Sequence, residues 1–421
     1  MRVLGHLLVA GLLVLLPAGS AVPTAPAPVT DTVPATHAVH ALAAAPADLA
    51  VRFQALLGQH SILAADLMRS RIRGGDDFVQ AANSALGKNT DAMTGLLREL
   101  FGPATADAFA PKWAAHIVAL FAYAGARADG DDSARAEARD QLVADEEALA
   151  TFFAGASQGR LRPAAARGAV VQHVAHLTTQ ADAYAAGDYA TADRLYRMGY
   201  QHTYDLGLTL ADALLPAADR NTLRQPIWRL RSQLGKLLAE HAVLVEDVTR
   251  AAVTGAPDFG PSGQMINGNT RDLTAAMDTL FGTPAARQFQ SLWADHVEHL
   301  VGYAAATAAN DEAGRQYARS GLAEFEQRMA AFLATATGRR MEAVTLSAAL
   351  RGHDDMLLRH ADAYAASDYG TAHDIAYDTY DGMFDLARQL ADAFGATVAE
   401  RLPEGGAQTG YGGLAALSGR R

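Results

Sequence analysis

Histidines in apolar helical stripes are the residues of this sequence that could do chemistry. His60 lies among leucines spaced three and four residues apart, His116 follows Trp113 by three residues, and His173 precedes His176 by three. This spacing predicts that each imidazole lies on the buried face of its own helix. Imidazoles that meet in the core of a helical bundle can bind a transition metal, and three of them with an open position suit copper or zinc.

A second set of histidines repeats the first, 180 or 181 positions later. In the first set His202 is the expected fourth ligand. Its counterpart is Gly382, so His360 or Met356 is expected to replace it, and a His/Met/His row would tolerate Cu(I). Nearby acids are predicted to accept hydrogen bonds from the ring N–H groups, namely Asp66, Asp182, Asp247 and Asp362. The predicted metal ligands are His60, His116, His173 and His202 in the first set and His241, His296, His353 and His360 in the second.

The same histidines also have a purely structural interpretation. A buried imidazole with tyrosine, asparagine or tryptophan neighbours commonly completes a hydrogen-bond network in a core. A duplication copies packing as faithfully as it copies chemistry, so the repetition alone does not separate a ligand from a packing residue. The chain has neither Glu-x-x-His nor His-Glu-x-x-His, and no Gly-x-x-x-x-Gly-Lys phosphate loop. These absences favour a binding or structural protein over an enzyme.

The sequence segments that must position these residues occur twice in the chain. Trp113-Ala-Ala-His116 recurs as Trp293-Ala-Asp-His296. Other motifs that recur at the same offset are Asn89-Thr90 and Asn269-Thr270, Leu100-Phe101-Gly102 and Leu280-Phe281-Gly282, Tyr123 and Tyr303, and Asp182-Ala183-Tyr184 and Asp362-Ala363-Tyr364. Such agreement indicates tandem copies of one domain. The predicted repeats span 48–216 and 230–395, and a linker at 217–229 joins them.

Each copy is predicted to be helical throughout. Apolar residues recur at three- and four-residue steps, and no window alternates polar with apolar residues as a strand would. Breaks such as Gly74-Gly75, Gly102-Pro103 and Gly187-Asp188 divide each copy into four to six helices. The sequence therefore predicts an all-α fold made of two tandem homologous antiparallel helical bundles.

Several other residues receive simpler predictions. Asn89 and Asn269, each followed by threonine, are predicted to cap helix N-termini. The tryptophans of the repeated motif are predicted to anchor the core. His299 and His373 have no histidine counterpart in the first copy, so they are predicted to lie at the surface.

The first residues of the chain predict export. Residues 1–21 combine a positive start, an apolar run and small residues at 19 and 21, a pattern typical of a signal peptide. Residues 22–47 are predicted to form a Pro/Ala-rich linker, and residues 396–421 a flexible Gly-rich tail. We therefore expect a secreted, extracellular protein of the cell envelope that has no lasting membrane span.

Composition excludes several classes of function. The 421 residues include 46 acids and 35 bases, and a net charge of −11 gives no means of recruiting nucleic acid by bulk electrostatics. The absence of cysteine excludes disulfides, thiolate zinc sites, iron–sulfur clusters and cysteine nucleophiles. Half of the residues are hydrophobic but only 7% are aromatic, a balance that favours helices over sheets.

The ordered motifs resemble a group of secreted helical-repeat proteins of Gram-positive bacteria, often labelled copper amine oxidase by domain association. The resemblance rests on Leu-Leu-x-x-His, Asn-Thr, Leu-Phe-Gly, Trp-x-x-His and Asp-Ala-Tyr-x-x-x-Asp-Tyr, and it covers roughly residues 50–395. It implies no particular activity, and the functional positions that it implies are His60, His116, His173, His202, His241, His296 and His353. A copper amine oxidase makes its quinone cofactor from the tyrosine of an Asn-Tyr-Asp/Glu motif. This chain has no Asn-Tyr pair, so amine oxidase activity is not expected.

The function expected from the sequence is the binding of copper, or next zinc, or a haem-like ligand by an exported, non-catalytic protein. The alternative is a structural or interaction module of the cell envelope without a ligand, and a metalloenzyme with an open three-histidine site is a third option. One distance separates the first two hypotheses. Metal binding requires ring nitrogens of His60, His116 and His173 within about 4 Å of a common point, because metal–nitrogen bonds are about 2 Å long.

Overall fold

The computed structural model describes residues 46–215 and 220–401, and in these ranges it contains helices and no β-strand. The all-α prediction is therefore confirmed for this part of the chain. The predicted signal peptide, nearly all of the Pro/Ala-rich linker and the end of the tail lie outside the described residues. Among the helices that are described, none combines the length and the apolar character needed to cross a bilayer.

Within the described residues twelve α-helices follow one another, and a short 3₁₀ helix at Arg220–Arg224 lies between the sixth and the seventh. The first six, which we call the first half, are α1 (Pro46–Arg73), α2 (Asp76–Phe101), α3 (Pro103–Asp129), α4 (Asp132–Ala156), α5 (Pro163–Ala185) and α6 (Tyr189–Leu214). The second half contains α7 (Pro226–Thr254), α8 (Phe259–Phe281), α9 (Thr283–Ala308), α10 (Glu312–Ala336), α11 (Ala343–Ala365) and α12 (Tyr369–Arg401).

The helix ends lie where the sequence places its breaks. Gly102 has φ 82° between α2 and α3, and Pro103 begins α3 at the position where its missing N–H leaves no hydrogen bond unmade. Asp188 caps α6 by accepting a hydrogen bond from the Thr191 backbone N–H. Two predicted boundaries differ from the structure, because α7 begins at Pro226 inside the predicted linker and α12 runs to Arg401, past 395.

The prediction that Asn89 and Asn269 cap helix N-termini is wrong. Both lie in the middle of a helix, α2 and α8, and are fully buried. The Asn89 amide donates to the Leu56 carbonyl of α1 at 3.0 Å, and the Asn269 amide donates to the Leu237 carbonyl of α7 at 2.9 Å. The side chain of asparagine can cap a helix or, on a buried helix face, bond to a partner across the helix interface. The residue type alone therefore does not distinguish the two roles.

The helices of each half pack around one central helix. In the first half α1 contacts α2, α3, α5 and α6, and in the second half α7 contacts α8, α9, α11 and α12. Residues 53–65 of α1 and 234–246 of α7 are buried without interruption. Trp113 and Trp293 are buried, as predicted for core anchors.

The two halves also pack against each other, and their contacts are reciprocal. The largest hydrophobic cluster contains residues from both halves. Tyr200 of α6 donates to the Lys236 carbonyl of α7 at 3.0 Å, and its counterpart Tyr380 of α12 donates to the Ala55 carbonyl of α1 at 2.9 Å. In the same way α6 packs on α8 and α12 packs on α2. The halves therefore meet as the two subunits of an isologous dimer do.

The contact between α1 and α6 requires glycine at position 207. A Cβ at Gly207 would lie 2.6 Å from the Gln54 Cα of α1, and backbone cannot yield as a side chain can. We expect Gly207→Ala to lower the free energy of unfolding by about 1–3 kcal/mol through overpacking. Chemical denaturation measures this change.

Gly168→Ala in α5 is the matched control, because a Cβ at Gly168 would have nothing within 4 Å. The control is expected to leave stability unchanged or raise it by up to about 1 kcal/mol through helix propensity. Equal stability of the two variants would contradict the close α1–α6 approach.

Candidate metal centre

Three histidines of the first half meet in its core. His60 comes from α1, His116 from α3 and His173 from α5, and we call them the first triad. One nitrogen of each ring lies within 4.8 Å of one nitrogen of the other two. The ring centroids are 5.3–5.7 Å apart, and the three residues are no more than 4% exposed.

Three histidines of the second half form the same arrangement. His241 of α7, His296 of α9 and His353 of α11 are the second triad, and their nitrogens again lie within 4.8 Å of one another. The Nε2 atoms of His241 and His296 are 3.4 Å apart. Three atoms this close lie within about 3 Å of a common centre, so both triads satisfy the expectation that the nitrogens lie within about 4 Å of a common point.

Aromatic rings close each triad off from water. Trp113 lies against His60 with ring centroids 4.3 Å apart, and Trp293 lies against His241 at 4.6 Å. In the second half Phe325 also stacks on His296 at 4.3 Å. The Trp-x-x-His spacing produces this packing, because residues three apart share one face of a helix.

Most ring nitrogens of the triads have no hydrogen-bond partner among the described residues. This holds for both nitrogens of His60, His116 and His353. A buried polar atom without a partner costs about 1–3 kcal/mol, and native cores contain few of them. They are concentrated at two corresponding places, and at each place one nitrogen of every ring lies near the other two, an arrangement that could hold a metal ion.

His173 is held in the orientation that metal binding needs. Its Nδ1 lies 3.1 Å from Thr203 Oγ1, while the Thr203 hydroxyl donates to the Gly199 carbonyl at 2.8 Å. The threonine oxygen therefore accepts a hydrogen bond from the Nδ1–H group, and the unpartnered Nε2 keeps its lone pair.

Burial keeps all six imidazoles neutral at neutral pH. It lowers the pKa of His116 and of His353 to about 4, because the charged ring would lose its hydration. For the other four, burial and the neighbouring imidazoles lower the pKa well below 6.5, namely for His60, His173, His241 and His296. The neutral ring is the form that binds a metal.

The second triad has a carboxyl partner that sequence reasoning missed. Asp354 Oδ1 lies 3.4 Å from His296 Nδ1, and the aspartate is 1% exposed. Burial raises the pKa of Asp354 well above its ordinary value, and the charges of Glu326 and Asp355 raise it further. Its counterpart in the first half is Val174. The signal was the pair His353-Asp354, which puts a carboxyl next to a core-facing histidine.

Two predicted ligands do not join the triads. His202 Nε2 lies 3.2 Å from the Ala169 carbonyl, and its ring faces His176 with centroids 5.4 Å apart. His360 packs against Tyr364 at 4.9 Å and lines a cavity of about 70 Å³ with side chains of both halves. The structure therefore brings together three of the four predicted histidines in each half.

The predicted acidic partners also lie elsewhere. Asp182 accepts from the Tyr123 hydroxyl, and Asp362 accepts from the Tyr303 hydroxyl. Asp247 binds Arg250 through Oδ1 at 2.8 Å. These carboxylates satisfy hydroxyl or guanidinium groups, and the described contacts of the triads do not include them.

The prediction that His373 lies at the surface is wrong. It is 5% exposed, its Nε2 lies 2.9 Å from Asp66 Oδ2 of α1, and its Nδ1 lies 2.7 Å from the Tyr369 carbonyl. Although burial opposes the charge, the hydrogen bond to Asp66 raises the pKa of His373. The pair joins α12 to α1 across the two halves. The counterpart of His373 in the first half is Asp193, which forms an ion pair with Arg69 at 2.9 Å. His299 is half-buried beside Tyr317.

One catalytic pattern in the sequence has a structural explanation. Gly155-Ala-Ser157-Gln-Gly159 matches Gly-x-Ser-x-Gly, which in hydrolases follows a strand. Here it follows helix α4, and Ser157 is fully buried. The Ser157 hydroxyl donates to the Ala154 carbonyl and accepts from the Leu161 N–H, so it stabilises a turn.

Comparison with protein-family models, with curated proteins and with solved structures finds no match to this chain.

The lowered pKa values predict a specific pH dependence of stability in the metal-free protein. The unfolded chain takes up protons near pH 6.5, whereas folded His116 does so only near pH 4. Stability is therefore unaffected by this group above pH 6.5 and is lost as the pH falls from there toward 4, by about 1.4 kcal/mol per pH unit and histidine. His116→Phe is expected to lose about 2 kcal/mol less than the wild type between pH 7 and 5.

Urea denaturation at the two pH values, with a chelator present, measures this difference. Leu120→Ala, one turn further along α3, is the control because it destabilises the same core without removing a titrating group. Equal pH dependence of His116→Phe and Leu120→Ala would mean that the buried imidazole is not held neutral.

Proposed function

We propose that this protein binds two transition-metal ions, one at each histidine triad. The observation that carries the proposal is that each triad brings three buried imidazole nitrogens within 4.8 Å of one another. Three neutral nitrogen ligands suit copper, in particular Cu(I), and next zinc. The chain has no cysteine, so histidine is its strongest available ligand for either ion.

Unpaired ring nitrogens support a ligand over a purely structural role. A core hydrogen-bond network satisfies its buried members, since each unsatisfied group is costly. His60 and His116 have no such partner among the described residues. A bound ion would satisfy one lone pair of each ring and link three helices of the half.

The packing favours an ion over a haem-like ligand. Within the first triad the ring centroids are only 5.3–5.7 Å apart, so the imidazoles leave no slot for a macrocycle between them. The described cavities, moreover, are lined by residues outside the triads.

Burial also supports binding over catalysis. The six triad histidines are 0–5% exposed, and a substrate larger than water would have no access to an ion among them. We propose a non-catalytic binding protein made of two duplicated helical bundles, exported by means of residues 1–21. A structural module of the cell envelope without a ligand is the alternative that the following experiment decides.

Calorimetric titration of the metal-free protein with Cu(I) or Zn(II) is expected to give two tight sites. His60→Ala/His116→Ala is expected to remove one site, and His241→Ala/His296→Ala the other. Saturation at 100 times the dissociation constant should stabilise the fold by about 2.7 kcal/mol per site, which thermal unfolding reports.

His299→Ala is the control, because His299 lies on α9 outside the triads. It is expected to keep both sites. Absence of binding tighter than micromolar in the wild type, or two tight sites remaining in either double variant, would refute the proposal and favour the structural module.

The environments of the triads predict unequal affinities. Asp354 can accept a hydrogen bond from the His296 Nδ1–H and so hold its Nε2 toward the metal, whereas Val174 offers His116 nothing. Asp354→Val is expected to weaken the second site about 10–100-fold and to leave the first site unchanged. Titration of each site in the background of the other double variant measures this effect, and an unchanged second site would contradict it.

A further inference from the structure

We propose that His176 and His202 form a separate, solvent-accessible metal site in the first half, at which an ion is captured before it enters the first triad. The inference rests on the proposed metal binding. Its ligand is the same copper or zinc ion, held here by two imidazoles. It gives a role to a predicted ligand, His202, that the triad does not include.

The two imidazoles lie at a separation that two ligands of one ion can have, since a metal–nitrogen bond is about 2 Å long. His176 of α5 and His202 of α6 face each other edge to face, with centroids 5.4 Å apart and an interplanar angle of 68°. Both residues are half-buried, so an ion from solvent can reach them. The Ala169 carbonyl, 3.2 Å from His202 Nε2, holds the proton on that nitrogen and leaves Nδ1 as the free ligand atom. His176 Nδ1 is buried and has no partner among the described residues.

A close approach of α5 and α6 creates this pair. A Cβ at Gly199 would lie 3.3 Å from the His176 Cβ, which is tighter than an ordinary contact. Glycine at this position lets the two helices come together where the imidazoles meet. In the second half Thr379 occupies the corresponding position.

The pair and the triad share both helices. His176 follows His173 by one turn of α5, and His202 directly precedes Thr203, whose hydroxyl holds His173 Nδ1 at 3.1 Å. An ion on the pair therefore lies one imidazole away from the buried site.

The pair lowers the cost of entry into the first triad. Its members are at most 4% exposed, so a hydrated ion must lose its water before it reaches them. Replacing water by two accessible imidazoles divides this loss into two steps. The second half has Met356 and Gly382 at the corresponding positions and lacks the pair.

Tryptophan fluorescence can follow the entry of Cu(II) into the first triad, since Trp113 lies 4.3 Å from His60. The experiment uses the full chain with Trp293→Phe, which removes the corresponding signal of the second triad. Rapid mixing with Cu(II) gives the rate of quenching, and equilibrium titration gives the affinity. The test variant, His176→Met/His202→Gly, carries the residues of the second half.

We expect this variant to load the first triad at least about tenfold more slowly, with its equilibrium affinity unchanged and one weaker site lost. The reciprocal variant, Met356→His/Gly382→His with Trp113→Phe, is expected to accelerate loading of the second triad. It keeps the proposal testable if the first variant folds poorly.

An unchanged loading rate in both variants would overturn the capture site while leaving metal binding by the triads intact. A loss of affinity at the first triad without a change in the association rate would also overturn it, because it would make the pair part of the triad. Absence of quenching in every protein, including the one with only Trp293→Phe, would instead refute the binding of Cu(II) by the triads.

Discussion

Every side of the middle of α1 and of α7, residues 53–65 and 234–246, faces protein, and this burial governs the rest of the structure. Polar groups on these two helices cannot turn to water, so neighbouring helices must satisfy them. Asn89 and Asn269 do so at the Leu56 and Leu237 carbonyls. The histidines on the same helices are the exception. Most of their nitrogens stay unpaired, and the rings remain neutral because a charge there could not be hydrated.

The reciprocal contact of the halves explains how both central helices become buried. Each half covers only part of its own central helix. Helix α6 of the first half also packs on α7, and α12 of the second half also packs on α1, where Tyr200 and Tyr380 make equivalent hydrogen bonds. A single copy would expose the surface that this contact covers. Because both halves belong to one chain, each has its partner at high effective concentration, which removes the cost of association between separate molecules.

The symmetry of the backbone coexists with different chemistry in the two halves. Around the triads, Asp354 of the second half occupies the position of Val174 in the first. Met356 and Gly382 occupy the positions of His176 and His202. His373 binds Asp66 across the two halves, whereas its counterpart Asp193 binds Arg69 within the first half. In each case the helices correspond in their order along the chain, but the polar partner differs. The two sites therefore share a geometry and differ in their surroundings.

The sequence by itself determined the helical class, the turns and the two sets of core histidines, because apolar periodicity and Gly/Pro breaks act locally. It also led to His60, His116, His173 and their counterparts, since residues three and four apart must share a helix face. Only the tertiary structure decided that His202 and His360 stay outside the triads. The depth and rotation of one helix against another set which imidazoles meet, and no local pattern encodes them. The same reason explains the errors at Asn89 and His373, whose partners lie on helices 33 and 307 positions away in the chain.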